Sequence, residues 1–457
     1  MRDLFFIAFL ALLFGISFRR PFLFVPTYIY IDLVSPQRLA YLLLNSIPLS
    51  LIAALLTVVT WLLFDNKRLC RLAIGQLWML LLLAYAGVST IYAEFPLPAL
   101  AKWDWVWRAM IFAIFMPFTL TTRLRIEAVI LFMIGAASSI IIIGGIKTLA
   151  SGGGYGVLNL IINNNTGLYE GSIISMCAIS FIPLIWWLHN HGKVFPRDWR
   201  VTIFALALTL ACLLMPVGTQ ARTGMICIAV LGLLFLRDMK RRGPYIACIA
   251  IAAMIAPIFL PSSFNDRFNT IKEYKADQSA STRIAVWQWT WEHTLKHPLG
   301  GGFEIYRKNK LDYNTEQVIG DDSNSTVKLK EVKEQARAFH SSYFEMLGEQ
   351  GFPGLAIWLL IHLMNLWHMG RIRRRYKDST APDQQWIAPL ATALQHSQLI
   401  ILTGSLFVGI AWQSFVLLLL ATQMGFHTYI RRLEKERQAL AMAGMVWSQG
   451  LPRASAV

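Results

Sequence analysis

The chain is poor in acidic residues and in cysteine. Of its 457 residues, 26 are Asp or Glu and 5 are Cys, against 42 that are Lys or Arg. The cysteines lie in or beside apolar runs, and none falls in the long polar segment after residue 261. Their spacing fits neither a disulfide framework nor a zinc site. We therefore predict no disulfide framework, no bound metal and no cofactor.

Sequence motifs of several enzyme classes are missing as well. No GxxxxGK followed by Ser or Thr is present, which excludes a nucleotide-binding loop of that type. The paired carboxylates of a glycosidase are not evident. Residues 151–156, SGGGYG, are typical of a flexible loop. The glycines at 300–302 favour a turn that ends a helix, although they can also expose backbone amides to an anion.

Apolar residues dominate the chain. Hydrophobic residues make up 56% of it and charged residues 15%, a balance typical of membrane proteins. The runs long enough to cross, or nearly cross, ~30 Å of hydrocarbon lie near residues 4–18, 21–34, 45–64, 72–92, 106–121, 126–149, 171–188, 201–217, 223–236, 245–260, 352–369 and within 389–428. We predict an all-α polytopic membrane protein with about 12 transmembrane helices. The last run can form one long span or two.

The net charge of +16 arises largely in short linkers between these runs. The basic linkers that fall on one face are 67–71, 121–125, 191–200, 239–243 and 371–377. The positive-inside rule makes this face cytoplasmic. The loops that then lie outside are 93–105, 150–170, 218–222 and 261–340. Membrane topology thus explains the basic charge, and no nucleic acid partner is expected.

The predicted spans divide the chain into four segments. We predict an N-terminal transmembrane bundle of about 10 spans over residues 1–260. An external cap with amphipathic helices follows over 261–343. We assign 344–430 to C-terminal spans and 431–457 to a cytoplasmic tail.

Two helices are predicted in and after the cap. The first has Ser281 or Thr282 as its N-cap and ends at Pro298 and the glycines that follow. Its apolar face, suited to the bilayer surface, carries Ile284, Trp287, Trp291 and Leu295. Residues 308–330 are polar, and we expect them to be mobile. The second helix begins at Ser342, with Glu345 at capping-box spacing, and ends at Gly351.

His340 immediately precedes the second helix, in the run AFHSSYFEMLGEQGFPG at 338–354. Unpaired amides and the dipole of a helix start disfavour the imidazolium form. A neutral imidazole there can accept a proton. A histidine at this boundary can instead simply pack or form a hydrogen bond, but the surrounding pattern favours a functional role. In that pattern Ser341 follows His340, and nine residues separate Ser341 from Gly351. Gly354 is the last residue of the pattern.

Two arginines are candidate anion ligands on the outer side. Arg222 ends a short turn between two spans, where an arginine is costly unless it is paired or bound to an anion. It can otherwise extend to the lipid headgroups. Arg283 lies at the start of the first cap helix, where its planar guanidinium group can reach a phosphate. An isolated arginine at such a position is commonly a surface charge.

Five further residues are candidate donor or acceptor contacts, and one of them is Ser341 of the motif. Arg337 precedes His340 by three residues and can reach the same place, as can Lys102 and Arg108 from the 93–108 region. Trp287 can stack on a sugar face, but a belt of tryptophans at the membrane interface explains it equally well.

The motif at 340–354 resembles the signature of the O-antigen ligase superfamily, which includes O-antigen polymerases and bacterial protein O-oligosaccharyltransferases. That signature is a His, then Asn, Ser or Gln, nine residues, a Gly, two residues, and Gly, Thr or Tyr. The Arg-Thr-Gly at 222–224 and TRIAVWQWTWEHTLKHPLGGGF at 282–303 resemble two further family features in the expected order. The N-terminal MRDLFF and FRRPF resemble putative O-glycosylation ligases associated with exosortases.

The resemblance implies a C-type glycosyltransferase in the bacterial inner membrane, with its site facing the periplasm. It would move a glycan from undecaprenyl diphosphate to an acceptor hydroxyl, inverting the anomeric centre without a metal. His340 matches the essential histidine, and Arg222 and Arg283 match arginines implicated in diphosphate handling. Since no large extra soluble portion is present, we favour lipid A-core oligosaccharide as the acceptor, as in lipopolysaccharide biosynthesis.

Two alternatives remain at the level of sequence. A polymerase or a protein O-oligosaccharyltransferase would use the same donor on another hydroxyl, including one on a protein. A lipid-linked glycan flippase would also have a dozen spans and internal cations. It would need no base in an outer loop, and its charges should line the midplane between symmetric repeats. No convincing repeat is found.

Overall fold

The computed structural model describes residues 2–40, 43–152, 167–238, 278–319 and 326–449. Its α-helices are α1 Arg2–Arg19, α2 Phe24–Val34, α3 Pro36–Leu39, α4 Leu49–Phe64, α5 Ile74–Ile91, α6 Pro96–Phe115, α7 Arg123–Ser151, α8 Gly171–His191, α9 Trp199–Gly218, α10 Arg222–Asp238, α11 Gln278–Lys296, α12 Ser342–Tyr376, α13 Ile387–Gly404 and α14 Ser414–Gln449. Two strands, β1 Lys310–Ile319 and β2 Thr326–Gln335, lie between α11 and α12. Short 3₁₀ helices occupy Pro21–Leu23, Lys67–Leu69, Met116–Thr119, Gly167–Tyr169 and Ile305–Lys308.

Each predicted apolar run that falls in the described ranges is helical over most of its length. Five helices of those ranges are long and apolar enough to cross a membrane, namely α5, α7, α8, α9 and α12. The chain is a helical, multi-pass membrane protein. The predicted run 245–260 lies outside the described residues. The last run forms two helices, α13 and α14, and α14 continues past the predicted boundary at 431. The total of twelve spans stays a prediction.

α8 lies at the centre of the bundle and packs against α7, α9, α10 and α13. Nearly its whole length is buried. Its sequence is apolar on all sides, from Ile173 through Leu188, as expected for a helix surrounded by other helices. The start of α8 therefore holds a defined position against the neighbouring helices.

The basic linkers of the described ranges meet at one end of the bundle. The contacts that join them are Arg432 to the carbonyls of Leu69 and Thr121, the Arg375–Glu434 ion pair at 3.0 Å, the Lys193 amide to Glu127 at 2.7 Å, and Arg123 to the His191 carbonyl. This confirms that the linkers 67–71, 121–125, 191–200 and 371–377 share one face. The linker 239–243 lies outside the described residues. We call this face the basic end and the opposite face the cap end.

The cap contains a β-hairpin, so the expectation of a wholly helical cap was wrong. β1 and β2 pair antiparallel, from Lys310 opposite Gln335 to Ile319 opposite Thr326. The segment was expected to be mobile because it is rich in charge. Apolar and polar residues nevertheless alternate at the start of β1, in KLDY, which is the period of a strand. Leu311 is buried in a small core with Val286, Ile305 and Phe339.

The cap helix α11 begins at Gln278, ahead of the predicted caps Ser281 and Thr282. Its buried face carries Val286, Thr290 and Thr294. Thr294 Oγ1 lies 3.2 Å from the Leu347 carbonyl of α12, and this face packs on α12. Three residues of the predicted apolar face are 49–57% exposed, namely Ile284, Trp291 and Leu295. Trp287, the fourth residue of that face, is half-buried. Contact of this face with lipid stays a prediction.

Candidate functional site

His340 lies at the cap end in a left-handed backbone conformation, with φ of 48°. Histidine is one of the few non-glycine residues enriched in this region, which costs about 1–3 kcal/mol. Ser341 follows as the N-cap of α12, and the helix begins at Ser342, as predicted. The side chain of His340 is accessible, so it can meet a substrate.

Trp287 of α11 contacts residues on both sides of His340. Its indole N–H donates to the Phe339 carbonyl at 2.8 Å. Its ring stacks on Phe344, with centroids 5.0 Å apart and planes 4° apart. One face of the indole is therefore covered by protein. The predicted contact of Trp287 with a sugar stays a prediction, while its contacts with Phe339 and Phe344 position the histidine.

The two serines after His340 anchor the start of α12 to the turn between α13 and α14. The Ser342 amide donates to the Ser405 carbonyl at 2.8 Å, and Ser342 Oγ donates to the Val408 carbonyl at 2.9 Å. Ser341 is 1% exposed, and its Oγ lies 3.4 Å from the Ser405 carbonyl. The predicted capping box of Ser342 and Glu345 was wrong, because both side chains take partners on other elements.

Gly351 ends the first segment of α12, as predicted, with φ of 64° and ψ of −165° inside an otherwise helical run. A Cβ there would lie 2.2 Å from the Pro298 carbonyl oxygen. The Gly301 amide donates to the Gly348 carbonyl and the Gly302 amide to the Glu349 carbonyl, both at 3.0 Å. The amides of Gly301 and Gly302 therefore fasten the cap to α12, and the idea that they expose amides to an anion was wrong.

Gly354, the last residue of the predicted motif, lies inside α12. A Cβ at this position would lie 2.2 Å from Cβ of Gln350. Gln350 is buried and accepts a hydrogen bond from Ser89 Oγ of α5 at 2.8 Å. The small side chain thus leaves room for a buried polar contact between α12 and α5.

Arg283 and His340 lie within electrostatic reach of each other, although they are 57 positions apart in the chain. Loss of hydration, together with the positive charges of Arg283 and Arg337, lowers the pKa of His340 from its ordinary value. Arg283 also acts on Glu170, the N-cap of α8. Burial raises the pKa of Glu170, while a hydrogen bond with Ser172 and the charge of Arg283 act in the opposite direction.

Arg222 begins α10 at the same end of the bundle. The turn before it is held to α8 by a 2.7 Å hydrogen bond between the hydroxyls of Ser175 and Thr219. Gly224 lies so close to Ser175 that an added Cβ would be 2.8 Å from the serine Cβ. The start of α10, which carries Arg222, therefore packs beside the first turns of α8, whose N-cap is Glu170. A shared site of Arg222 with Arg283 stays a prediction.

Lys102 of α6 occupies a buried ionic cluster. Its Nζ lies 2.7 Å from Glu345 and 2.8 Å from Glu349, both on α12. Glu349 also accepts from the Glu304 amide at 3.0 Å, and Glu345 from the Ala411 amide at 3.2 Å. Lys102 was predicted as a substrate contact, which stays a prediction. Sequence reasoning overlooked the two glutamates, although their spacing of four within a helix places them on one face.

Arg337 and Arg108 each pair with an acidic neighbour. Arg337 binds Glu334, and its backbone amide donates to Asn309 Oδ1 at 3.0 Å. Arg108 pairs with Asp104 one helical turn earlier on α6, and both are partly exposed. Arg337 acts on His340 electrostatically. Their predicted contacts with donor or acceptor stay predictions.

No group of three or more His, Cys, Asp or Glu side chains that could hold a metal ion occurs among the residues that the structure describes. The groups that the described ranges place at the cap end are an imidazole with a lowered pKa, guanidinium groups nearby, and hydroxyl and carboxylate groups on α12.

Residues 205–359 match the family described as O-antigen ligase. This match covers about a third of the chain and supports its membership of the O-antigen ligase superfamily. The matched segment contains every residue of the predicted signature, and Arg222, Arg283 and Arg337 besides. The superfamily comprises glycosyltransferase-like membrane enzymes. Residues 1–193 match a family of unknown function, and no curated protein matches the chain.

Proposed function

We propose that this superfamily member transfers a glycan from undecaprenyl diphosphate to a hydroxyl of lipid A-core oligosaccharide, on the periplasmic side of the bacterial inner membrane. The observation that carries the proposal is the proximity of His340 and Arg283, which unites a neutral base with a fixed positive charge at the cap end. The opposite end of the bundle gathers the basic linkers, which favours placing the cap end outside.

The proposed reaction is a single displacement. The acceptor hydroxyl oxygen forms a bond to the anomeric carbon, and the bond from that carbon to the diphosphate oxygen breaks. The electron pair leaves with the diphosphate, and the hydroxyl proton passes to the neutral imidazole of His340. Attack from the face opposite the leaving group inverts the anomeric configuration. The diphosphate linkage supplies the driving force, so neither ATP nor a metal takes part in the proposed step.

Arg222 and Arg283 are proposed to bind the diphosphate. Guanidinium groups suit phosphate oxygens because their N–H donors form paired, charge-assisted hydrogen bonds. Positive charge at this point stabilises the negative charge that develops on the leaving group. Loss of hydration and the charge of Arg283 both lower the pKa of His340, which favours the neutral imidazole, so Arg283 would serve both the leaving group and the base.

The test is transfer by the purified full chain reconstituted with undecaprenyl-diphosphate glycan and rough lipopolysaccharide. We expect His340→Ala and His340→Asn to lose transfer by about 100-fold or more. Asn is included because it accepts the left-handed backbone. The matched control is His297→Ala, an exposed histidine at the end of α11. Near-normal product from both His340 variants would remove the histidine from the mechanism.

The arginines are tested by donor use. Arg222→Ala and Arg283→Ala should raise the donor KM or lower turnover, whereas Arg200→Gln, an exposed arginine in the first turn of α9, should behave as wild type. Wild-type donor kinetics in both cap-end variants would refute the diphosphate role.

The acceptor is tested with separate mixtures. Product on rough lipopolysaccharide supports the ligase. Product only on a polypeptide would identify a protein O-oligosaccharyltransferase, and extension of the donor glycan a polymerase. Movement of the donor across sealed vesicles without any product would indicate a flippase.

A further inference from the structure

A polar cavity of about 380 Å³ opens beside the first segment of α12. Its lining comes from α6, from the turn after α11, from α12 and from the turn before α14. The side chains that the argument uses are Lys102, Trp105, Glu304, Arg307 and Glu345. None of them belongs to the proposed diphosphate site. The volume lies within the range of about 300–1,000 Å³ typical of small-molecule sites.

The charges that line this cavity balance. Lys102 and Arg307 contribute two positive charges, and Glu304 and Glu345 two negative ones. These groups are already engaged, since Lys102 binds Glu345 at 2.7 Å and Arg307 binds Glu304 at 2.9 Å. The balanced charges give a phosphate no net attraction to this cavity. A neutral ligand with many hydroxyls can both donate to the carboxylates and accept from the cations.

Trp105 supplies an aromatic wall. It is 39% exposed and also lines a neighbouring groove of about 470 Å³. That groove has mainly apolar walls, which include Leu51, Leu55 and Ile111, all 38–56% exposed. A ligand with a sugar in the polar cavity can therefore continue into an apolar region next to Trp105. This combination fits the sugar of a glycolipid better than a free nucleotide or a peptide.

The cavity is connected directly to the segment that carries His340. Gly409 and Ile410 line it, and the Ile410 amide donates to Ser342 Oγ at 2.9 Å. On another side, Tyr306 next to Arg307 contacts the ring of Phe339, with centroids 5.7 Å apart. Residues adjoining the cavity thus touch the chain on both sides of His340.

From these observations we infer that the cavity lined by Lys102, Trp105, Glu304, Arg307 and Glu345 binds a neutral sugar unit of a glycolipid substrate. The inference rests on the proposed function for the identity of that substrate. Because donor and acceptor are both glycolipids, the chemistry is common to them, and the experiment separates the two.

The first test measures KM for each substrate in the reconstituted transfer assay. The variants are Arg307→Met and Trp105→Leu, both at the rim of the cavity. The control is Lys308→Met, the adjacent residue, which pairs with Glu94 at the surface. Loss of a charge-assisted hydrogen bond should raise one KM about tenfold with kcat little changed. The substrate whose KM rises is the occupant.

Two outcomes of this assay would overturn the inference. In one, both KM values of both variants stay within about twofold of wild type. In the other, kcat falls while neither KM moves, which indicates a purely structural role. The thermal midpoint of each variant verifies folding, and Trp105→Phe, which keeps an aromatic ring, should recover most of the affinity lost in Trp105→Leu.

A second test does not depend on activity. Saturation-transfer NMR is recorded on the detergent-purified chain with methyl glycosides of glucose, galactose and N-acetylglucosamine. Transfer to at least one glycoside, weakened by Arg307→Met and Trp105→Leu but not by Lys308→Met, would support the cavity even if wild-type protein transferred no glycan. Absence of saturation transfer in the wild type, or a signal that both variants leave unchanged, would refute the site.

Discussion

The indole of Trp287 donates its hydrogen bond to the Phe339 carbonyl, immediately before the histidine of the signature. The contact spans 52 positions of the chain and ties the cap helix α11 to the peptide that presents His340. Because His340 has a left-handed backbone, its direction depends on such neighbours.

Replacing Trp287 by Phe should lower turnover. The ring still packs on Phe344, but the bond to Phe339 is lost, at about 0.5–1.5 kcal/mol. We expect kcat to fall about 3- to 10-fold with little change in donor KM. The control is Trp289→Phe, whose indole stacks on His293 instead. Equal kinetics for the two variants would contradict a positioning role for Trp287.

The pH dependence of transfer should follow His340. The base must be neutral, so the rate rises with pH through the pKa of His340, which is lowered by loss of hydration and by Arg283 and Arg337. Removing a positive charge in Arg337→Gln should raise that pKa and move the acid limb of the kcat profile to higher pH. Arg200→Gln, at the basic end, should leave the profile in place. If the acid limb of the Arg337→Gln profile does not move, or moves to lower pH, this role of His340 is contradicted.

Gly351→Ala should destabilise the protein. The positive φ costs an alanine about 1–2 kcal/mol, and its Cβ would press on the Pro298 carbonyl. We expect a thermal midpoint several degrees lower and weak transfer activity. In Gly135→Ala of α7 the added methyl group meets nothing within 4 Å, so its midpoint should be unchanged or higher. Similar midpoints for the two variants would show that the turn tolerates a side chain.

Lys102→Met should destabilise the protein more than the removal of a surface charge does. It leaves Glu345 and Glu349 buried without their cation, which costs about 3–5 kcal/mol. Lys308→Met breaks a half-exposed pair with Glu94, worth about 0–1 kcal/mol. Thermal midpoints of the two variants compare these costs. The double variant Lys102→Met/Glu349→Gln should recover part of the loss, and no recovery would indicate that the charge imbalance is not its cause.

Local patterns predicted much of the fold. Apolar runs became helices because backbone groups in lipid must bond within their own segment. The start of α12 at Ser342 and its break at Gly351 were also predicted, since a helix boundary and a positive φ have local sequence signals. The hairpin at 310–335 was missed because its charge concealed the alternation of apolar residues.

The sites were less predictable than the elements. Ser342 and Glu345 have capping-box spacing, yet they bind the turn at 408–411 and Lys102 instead. Lys102 was predicted as a contact to the donor or acceptor, and in the structure it binds two carboxylates. A local motif cannot show such partners, because a side chain takes whichever one packing brings within reach.

The amino-acid sequence alone determined the apolar helices, the basic face, and a histidine placed directly before a helix start, because these depend on neighbours along the chain. Only the tertiary structure decided that Arg283 reaches His340, that Lys102 joins two glutamates of α12, and that Trp287 supports Phe339. These pairs lie 52 to 247 positions apart. Their proximity is set by how the helices pack and by the glycine contact that fastens the cap to α12.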